Sequence, residues 1–195
     1  MVDFVNQNNQ VIINFHEILK DKLYLHKLQS CNIKEELENY IKRKENLVAL
    51  HDNFIKFGTN KATSFIIIDI DKVNKTLKNY ENEIKDKLNG YEPNWITKTD
   101  NGFHVGFILD KPLWLSNTIQ TRKVENIKKN LTSLLNADIS GSHRLIGYWR
   151  NPLKHESVIN TKLHTIDKLE RIINYKYLEN KIKNKVILTN SNWEQ

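Results

Sequence analysis

An Asn-Gly pair between two short apolar runs constrains the fold of this 195-residue chain more than any other feature. Both residue types accept the positive φ angles of a tight turn, and the pair is the strongest short-range signal for a β-hairpin. Residues 95–99 and 103–109 therefore read as antiparallel strands joined by the turn Asn101-Gly102.

The second strand of this hairpin has two different faces. Its apolar positions share one face, which comprises Phe103, Val105, Phe107 and Leu109. His104 and Gly106 point the other way. The predicted turn places His104 opposite Thr99 and Gly106 opposite Thr97, and a glycine there leaves room for a ligand phosphate. A lone histidine beside a turn is also common as an ordinary surface residue, so both interpretations stay open.

Strands and helices alternate around the hairpin. Residues 65–73 are rich in isoleucine and read as a buried strand, whereas residues 74–88 and 118–135 carry apolar side chains at helical spacing. A last strand is predicted over residues 145–150, ended by Pro152. The order β-α-β-β-α-β predicts an α+β fold with an RRM-like or ferredoxin-like core, in which helices cover one face of an antiparallel sheet.

The flanking segments read mainly as helix. Apolar residues recur near the 3.6 period within residues 12–23 and 37–47, and the basic tail shows the same spacing. We therefore expect an N-terminal, mainly helical segment (1–60), a catalytic core (61–160) and a C-terminal basic helical tail (161–195).

Charge and cysteine content restrict the partners and the compartment. The formal net charge is +7 and the pI is near 9.3, which favours a polyanionic partner. The single cysteine, Cys31, excludes an internal disulfide and a zinc site built from several thiolates. With no signal peptide and no apolar run of about 20 residues, we expect a cytoplasmic protein without a membrane partner.

Two carboxylates close the isoleucine-rich strand. Alternation places Asp69 and Asp71 on one face and the three isoleucines between and before them on the other. Adjacent carboxylates repel each other, and Mg²⁺ binds well to carboxylates together with phosphate oxygens. The alternative is a strand that ends in a solvated loop, with Asp71 capping the helix that begins near Asn74.

Residues 137–155 form the third candidate segment. It offers another carboxylate, Asp138, and then basic residues interleaved with Tyr148 and Trp149, a composition that suits phosphates and stacked bases. Its basic side chains are His143, Arg144, Arg150, Lys154 and His155. A basic edge strand whose aromatic side chains face the core is an equally valid interpretation of Tyr148 and Trp149.

Together these motifs resemble the archaeo-eukaryotic primase superfamily, especially its primase-polymerase and plasmid replication-initiator branches. The resemblance rests on Asp69-Ile70-Asp71, Gly102-Phe103-His104, Ala137-Asp138, 143–147 and 150–155. Ile146 replaces a usual proline, and a single histidine follows the hairpin glycine where the plasmid initiators often carry two.

The resemblance implies roles for these residues. Asp69, Asp71 and Asp138 would bind two Mg²⁺ or Mn²⁺ ions, and His104 would contact the incoming triphosphate. Phosphates of the nucleotide would be neutralised by Arg144 and Lys154. Further DNA or phosphate contacts are expected from His143, Arg150 and Asn151.

The function implied is that of a DNA primase or primase-polymerase in plasmid, phage or mobile-element replication. Its partners would be a single-stranded DNA template and nucleoside triphosphates. Unwinding would come from a separate helicase or replication protein, or from another part of a larger one.

Two other functions fit a similar sheet. A rolling-circle replication nuclease needs a pair of metal-binding histidines and a nucleophilic tyrosine, for which Tyr177 is the candidate, but Gly106 stands where a partner for His104 would be. A non-catalytic, RRM-like nucleic-acid-binding module would carry aromatic side chains on the open sheet face. Here those positions hold carboxylates, which repel a phosphate backbone unless a metal is present.

Overall fold

A computed structural model describes residues 9–23, 28–34, 43–44, 50–59, 61–139 and 144–191. Four helices lie in these ranges: α1 (Asn9–Lys22), α2 (Leu77–Lys87), α3 (Thr118–Leu135) and α4 (Ile166–Ser191). The strands are β1 (Leu28–Cys31), β2 (Arg43–Lys44), β3 (Phe54–Phe57), β4 (Ala62–Asp71), β5 (Trp95–Lys98), β6 (Gly102–Trp114), β7 (Gly147–Arg150) and β8 (Ser157–Ile159). None of these helices is long and apolar enough to cross a bilayer.

The strands form two antiparallel sheets. The central sheet has the order β4-β6-β5-β8, and the second sheet has the order β2-β1-β3-β7. The α+β class with an antiparallel sheet and flanking helices is therefore confirmed. The order β4-α2-β5-β6-α3 also follows the sequence prediction.

The last predicted strand differs in its partner. β7 pairs with β3 in the second sheet, with Phe54 opposite Arg150, and β8 occupies the edge of the central sheet beside β5. Hydrophobic periodicity identifies a strand but carries no information about its neighbour, and β3 lies in the segment predicted as mainly helical. The N-terminal helix is confirmed by α1, whereas the helix predicted over 37–47 falls largely outside the described residues.

The helical side of the central sheet holds the larger core. Ile66, Ile68 and Ile70 are fully buried there, together with the four alternate apolar residues of β6. They pack against α2, α3 and α4, and each such side chain contributes about 1.5–3 kcal/mol through burial. The face prediction for both strands is therefore confirmed.

The opposite face of the central sheet is covered by an aromatic cluster. Trp95 stacks on Phe57 with ring centroids 5.5 Å apart and contacts Phe65 and Phe15 edge-on. A Cβ added at Gly106 would lie 2.1 Å from the Trp95 ring, so the glycine accommodates the indole. The expectation that Gly106 admits a ligand phosphate is therefore wrong, because Trp95 fills that space.

The hairpin register also differs from the prediction. Thr97 pairs with His104, and the N–H of Thr99 donates to the carbonyl of Gly102, so the turn is Asp100-Asn101. Gly102 lies inside β6, where a Cβ would come within 1.8 Å of the Ile70 carbonyl oxygen. The glycine thus serves a close strand contact instead of the turn. Because the shift between opposed residues is two, every side chain stays on its predicted face.

Candidate active site

The end of β4 positions the carboxylate pair. Asp69 lies directly opposite His104 of β6, with 3.4 Å between Oδ1 and Nε2. Asp71 is the last residue of the strand, and Lys72 turns the chain away with φ of 61°. The cap of α2 is Thr76, whose hydroxyl accepts the N–H of Asn79 at 3.3 Å. Asp71 therefore does not cap this helix.

The end of α3 brings in the third carboxylate. Asn136 adopts the left-handed conformation, with φ of 54°, and ends the helix just before Asp138. Ala137 and Leu145, on either side of the segment that carries Asp138 and Arg144, pack against the helical-side core. Both ends of that segment are thereby anchored.

The pKa of Asp69 reports how closely these carboxylates approach. Burial and, after it, the charges of Asp71 and Asp138 together raise it to about 6, whereas Arg144 opposes the rise. Asp69 is 27% exposed, so it remains within reach of solvent and of a ligand. The structure therefore brings the three predicted acidic residues together and places Arg144 beside them.

A cleft of about 420 Å³ opens between the carboxylates and the second sheet. Its acidic end is the group just described. The cleft is also lined by cationic and aromatic side chains, namely Lys34, Phe54, Arg144, Tyr148, Trp149 and Arg150. Arg150 Nη2 lies 2.5 Å from Asp100 Oδ2 at the hairpin turn, which joins the second sheet to the central one.

His104 is held as a neutral imidazole. Its side chain is 12% exposed and meets the edge of Trp149, with ring centroids 5.1 Å apart. Burial, together with the charge of Arg150, lowers the pKa of His104 to about 3. Its Nδ1 has no hydrogen-bond partner among the described residues. The ring can therefore donate or accept a hydrogen bond near Asp69 but carries no charge at neutral pH.

Lys128 is a residue that the sequence prediction missed. It lies on α3, is 3% exposed, and its ammonium group donates a hydrogen bond to the backbone carbonyl of Arg144. Burial lowers the pKa of Lys128 to about 7. Its position next to Ile127 on the apolar side of the helix is the only sequence signal, and a lysine there ordinarily extends to solvent.

Lys34 and Phe54 were also missed. Both line the cleft, Lys34 just after β1 and Phe54 at the start of β3. They lie in the N-terminal segment, and the pairing of β1 with β3 and of β3 with β7 brings them to the site. No local motif marks either residue.

Other predicted site residues lie elsewhere. Asn151 is fully buried; its Nδ2 donates to the carbonyls of Leu50 and Asp52, and its Oδ1 accepts the N–H of Leu153. The expectation that Asn151 contacts DNA is therefore wrong, because its side chain joins two loops. Lys154 is exposed and does not line the cleft. His143 lies outside the described residues.

Tyr177, the tyrosine considered for a rolling-circle nuclease, lies outside the candidate active site. Tyr177 lies on α4 and packs against the helical-side core, with the ammonium of Lys181 4.9 Å from its ring centroid. It does not line the cleft.

The donor set of the acidic end fits a divalent cation. Within the described ranges, no three His, Cys, Asp or Glu side chains form a group that could hold a metal ion by themselves. Mg²⁺ commonly takes only one or two protein carboxylates and completes its shell with water and substrate phosphates. The negative charges of Asp71 and Asp138 raise the pKa of Asp69, and a bound cation would offset this repulsion.

Comparisons with known proteins identify a family and a fold for this chain. The model of the Replicase family matches residues 24–181. The AEP domain of the primase-polymerase (PrimPol) of cyanophage S-2L superposes with a TM-score of 0.54 and 9% identity, covering 85% of this chain and 98% of that domain. The catalytic domain of primase RepB′, solved in complex with initiator DNA, gives 0.50 and 10% identity, covering 92% and 98%.

One curated protein also matches. Reticulocyte-binding protein homolog 1 of Plasmodium falciparum (isolate 3D7) is 25% identical over 218 residues, which span 95% of this chain and 7% of that protein. So small a share of that protein establishes no common function. The family match covers most of the chain, and the two solved domains share its fold. The chain belongs to the Replicase family, and its fold is that of the archaeo-eukaryotic primase domains.

Proposed function

We propose that this protein is a DNA primase or primase-polymerase that transfers nucleotidyl groups to a 3′-hydroxyl on a single-stranded DNA template during plasmid, phage or mobile-element replication. The observation that carries the proposal is that Asp69, Asp71 and Asp138 line one cleft together with Arg144, and the raised pKa of Asp69 supports it. Three carboxylates that repel one another beside a cation suit a reaction at a triphosphate.

The roles follow from position. Asp69, Asp71 and Asp138 would hold Mg²⁺ or Mn²⁺, which would neutralise charge at the triphosphate and activate the attacking hydroxyl. His104, buried and neutral, orients the nucleotide through one hydrogen bond without adding charge. Arg144 lines the cleft beside the carboxylates and binds phosphate oxygens. These residues accordingly position the substrate and offset its charge.

Lys154 and His143 have weaker support as phosphate contacts. Lys154 is exposed beyond β7, and it reaches a bound strand only if that strand extends out of the cleft. We propose residues 61–160 as the catalytic core, to which α1 and β3 of the N-terminal segment add buried side chains between the sheets. A separate helicase or replication protein is proposed to supply unwinding.

Primer synthesis and primer extension test the proposal. The full chain is incubated with single-stranded DNA, Mn²⁺ or Mg²⁺, and ribo- or deoxynucleotides in separate reactions. We expect extension by the unaltered protein and a loss of at least about a hundredfold in Asp69→Asn and Asp71→Asn, because each removes a metal-binding charge.

Asp86→Asn is the matched control. It removes one exposed carboxylate from α2, outside the cleft, and should leave extension unchanged. Extension by the double variant Asp69→Asn/Asp71→Asn at the rate of the unaltered protein would refute the proposal. Nucleotide binding that is indifferent to the metal would favour a non-catalytic binding module instead.

A further inference from the structure

The two strands β3 and β7 present an aromatic and cationic surface that the proposed chemistry does not use. Their alternate residues face opposite ways. Ile55, Phe57 and Trp149 are buried in the core between the sheets. The other alternate residues, Phe54, Lys56, Tyr148 and Arg150, are only partly buried.

These four side chains form two ring-and-cation pairs across the strands. Phe54 lies opposite Arg150, and the guanidinium carbon is 5.7 Å from the ring centroid. Lys56 lies opposite Tyr148, with its ammonium 5.9 Å from that ring centroid. The aromatic residue is on β3 in one pair and on β7 in the other. We call this set the aromatic platform.

The platform is not part of the hydrophobic core. The sequence left open whether Tyr148 and Trp149 both face inward, and the structure separates them: Trp149 is 6% exposed and belongs to the core between the sheets, whereas Tyr148 does not. A ring that is left partly exposed and lies below a cation is suited to a planar, electron-rich partner that carries negative charge.

The platform is continuous with the candidate active site. Phe54, Tyr148 and Arg150 line the same cleft as Asp69 and Asp71. Two rings offer stacking surfaces for two successive bases, which a strand provides and a single nucleotide does not. Lys34, on the same cleft wall, adds a third cation for the phosphate backbone.

We propose that the aromatic platform binds the single-stranded DNA template, with one base stacked on Tyr148 and the neighbouring base on Phe54. Lys56, whose ammonium is 5.9 Å from the Tyr148 ring centroid, and Lys34 of the cleft then neutralise the phosphates that flank the stacked bases. Arg150 stays paired with Asp100 beside Phe54. The inference rests on the proposed function, since it names the surface by which the same site holds its template.

Fluorescence anisotropy with a labelled oligothymidylate tests the platform. The full chain is titrated in EDTA without nucleotides, so that catalysis plays no part in the reading. We expect Tyr148→Ala to weaken binding by at least about fivefold, the lower end of the effect of removing one stacking side chain. Tyr148→Phe, which keeps the ring, should bind within about twofold of the unaltered protein.

Tyr175 provides the matched control. It is 65% exposed on α4 and has its own cation, Lys176, 5.9 Å from the ring centroid, but it lies outside the cleft. Tyr175→Ala should leave oligothymidylate binding unchanged. Should Tyr148→Ala fail to fold, Tyr148→Ile places another strand-forming side chain at this position and removes the ring.

Two results overturn the inference. They are an equal loss of oligothymidylate binding in Tyr175→Ala, and oligothymidylate binding by Tyr148→Ala equal to that of the unaltered protein. The second result, if Tyr148→Ala also lost nucleotide binding, would assign Tyr148 to the incoming nucleotide. A protein that binds oligothymidylate through Tyr148 but extends no primer would refute the proposed function and leave the platform intact.

Discussion

Asp69 is the residue at which folding and function oppose each other most clearly. Its carboxylate is 27% exposed, and burial together with Asp71 and Asp138 raises its pKa to about 6. The folded state therefore disfavours the charged form that a metal site requires. An ionised Asp69 carboxylate therefore lowers the free energy of unfolding, as is common for ionisable groups in active sites.

The stability of Asp69→Asn should reveal this conflict. Above pH 6 the charged carboxylate destabilises the folded state, and this effect disappears as the pH falls below 3.8, where Asp69 is protonated in both states. In EDTA at pH 7.5 we expect Asp69→Asn to be more stable than the unaltered protein by about 3 kcal/mol. At pH 3 the two should unfold at the same urea concentration.

The quantity to follow is the difference in the free energy of unfolding between Asp69→Asn and the unaltered protein. Other groups change the stability of each protein with pH in the opposite direction. Burial lowers the pKa of His104 to about 3 and that of His164 to about 4, so both residues reduce stability as the pH falls. They are present in both proteins and cancel. An unchanged or lower stability of Asp69→Asn at pH 7.5 would contradict the account of Asp69.

At the scale of elements, α3 supports the site through Lys128. The buried ammonium group holds the carbonyl of Arg144, which follows the segment that leaves α3 at Asp138. Lys128 touches no substrate in this arrangement and is a positioning residue. A buried charge with a single carbonyl partner offers little net stability.

Lys128→Met separates positioning from stability. Methionine fills a similar volume without a charge, so we expect the free energy of unfolding to change by less than about 1 kcal/mol. The KM for nucleotide in primer extension should rise several-fold, because Arg144 loses its anchor, while kcat changes less. Lys129→Met, at the neighbouring exposed position, should alter neither. Equal losses of stability and kcat would show a merely structural role.

The Trp95 ring of β5 packs directly on Gly106 of β6. Gly106→Ala would place a methyl group 2.1 Å from the Trp95 ring, whereas Gly90→Ala has nothing within 4 Å and only a φ of 76° to overcome. We expect Gly106→Ala to destabilise the fold by about 3 kcal/mol and Gly90→Ala by about 1 kcal/mol. Urea unfolding measures both, and equal values would mean that Trp95 moves aside freely.

The elements were predictable where their signals are local. Apolar alternation in β4 and β6 and helical spacing in α2 and α3 identified those elements and their buried faces. The turn was misplaced because Gly102 has a second use, a close approach to the Ile70 carbonyl, that no local pattern reveals. The same holds for Gly106, whose neighbour Trp95 is fixed by strand pairing.

At the scale of the whole molecule, the site depends on contacts that the sequence does not display. Asp69, Asp71 and His104 share one face of the central sheet, and two-residue periodicity was sufficient to bring them together. Lys34 and Phe54 come from the N-terminal segment, through the pairing of β3 with β7. That pairing joins residues far apart in sequence, and strand periodicity cannot select such partners.

The charge of the whole molecule leads to an expected salt dependence. The formal net charge is +7, but only cations near a bound strand release counterions from it. Lys34 and Arg144 line the cleft, and Lys56 lies beside Tyr148 on the aromatic platform. Arg150 is paired with Asp100, which reduces its contribution.

Three effective contacts predict a slope of about −2 for the logarithm of oligothymidylate affinity against the logarithm of salt concentration. Affinity should then fall by roughly a factor of 20 between 50 and 200 mM salt. Lys56→Gln should reduce the slope by about 0.7, because it removes one phosphate contact. Lys129→Gln, which removes the same charge from an exposed site on α3, should leave the slope unchanged. If both variants reduced it equally, the strand would be held by the overall charge of the protein and not by the cleft.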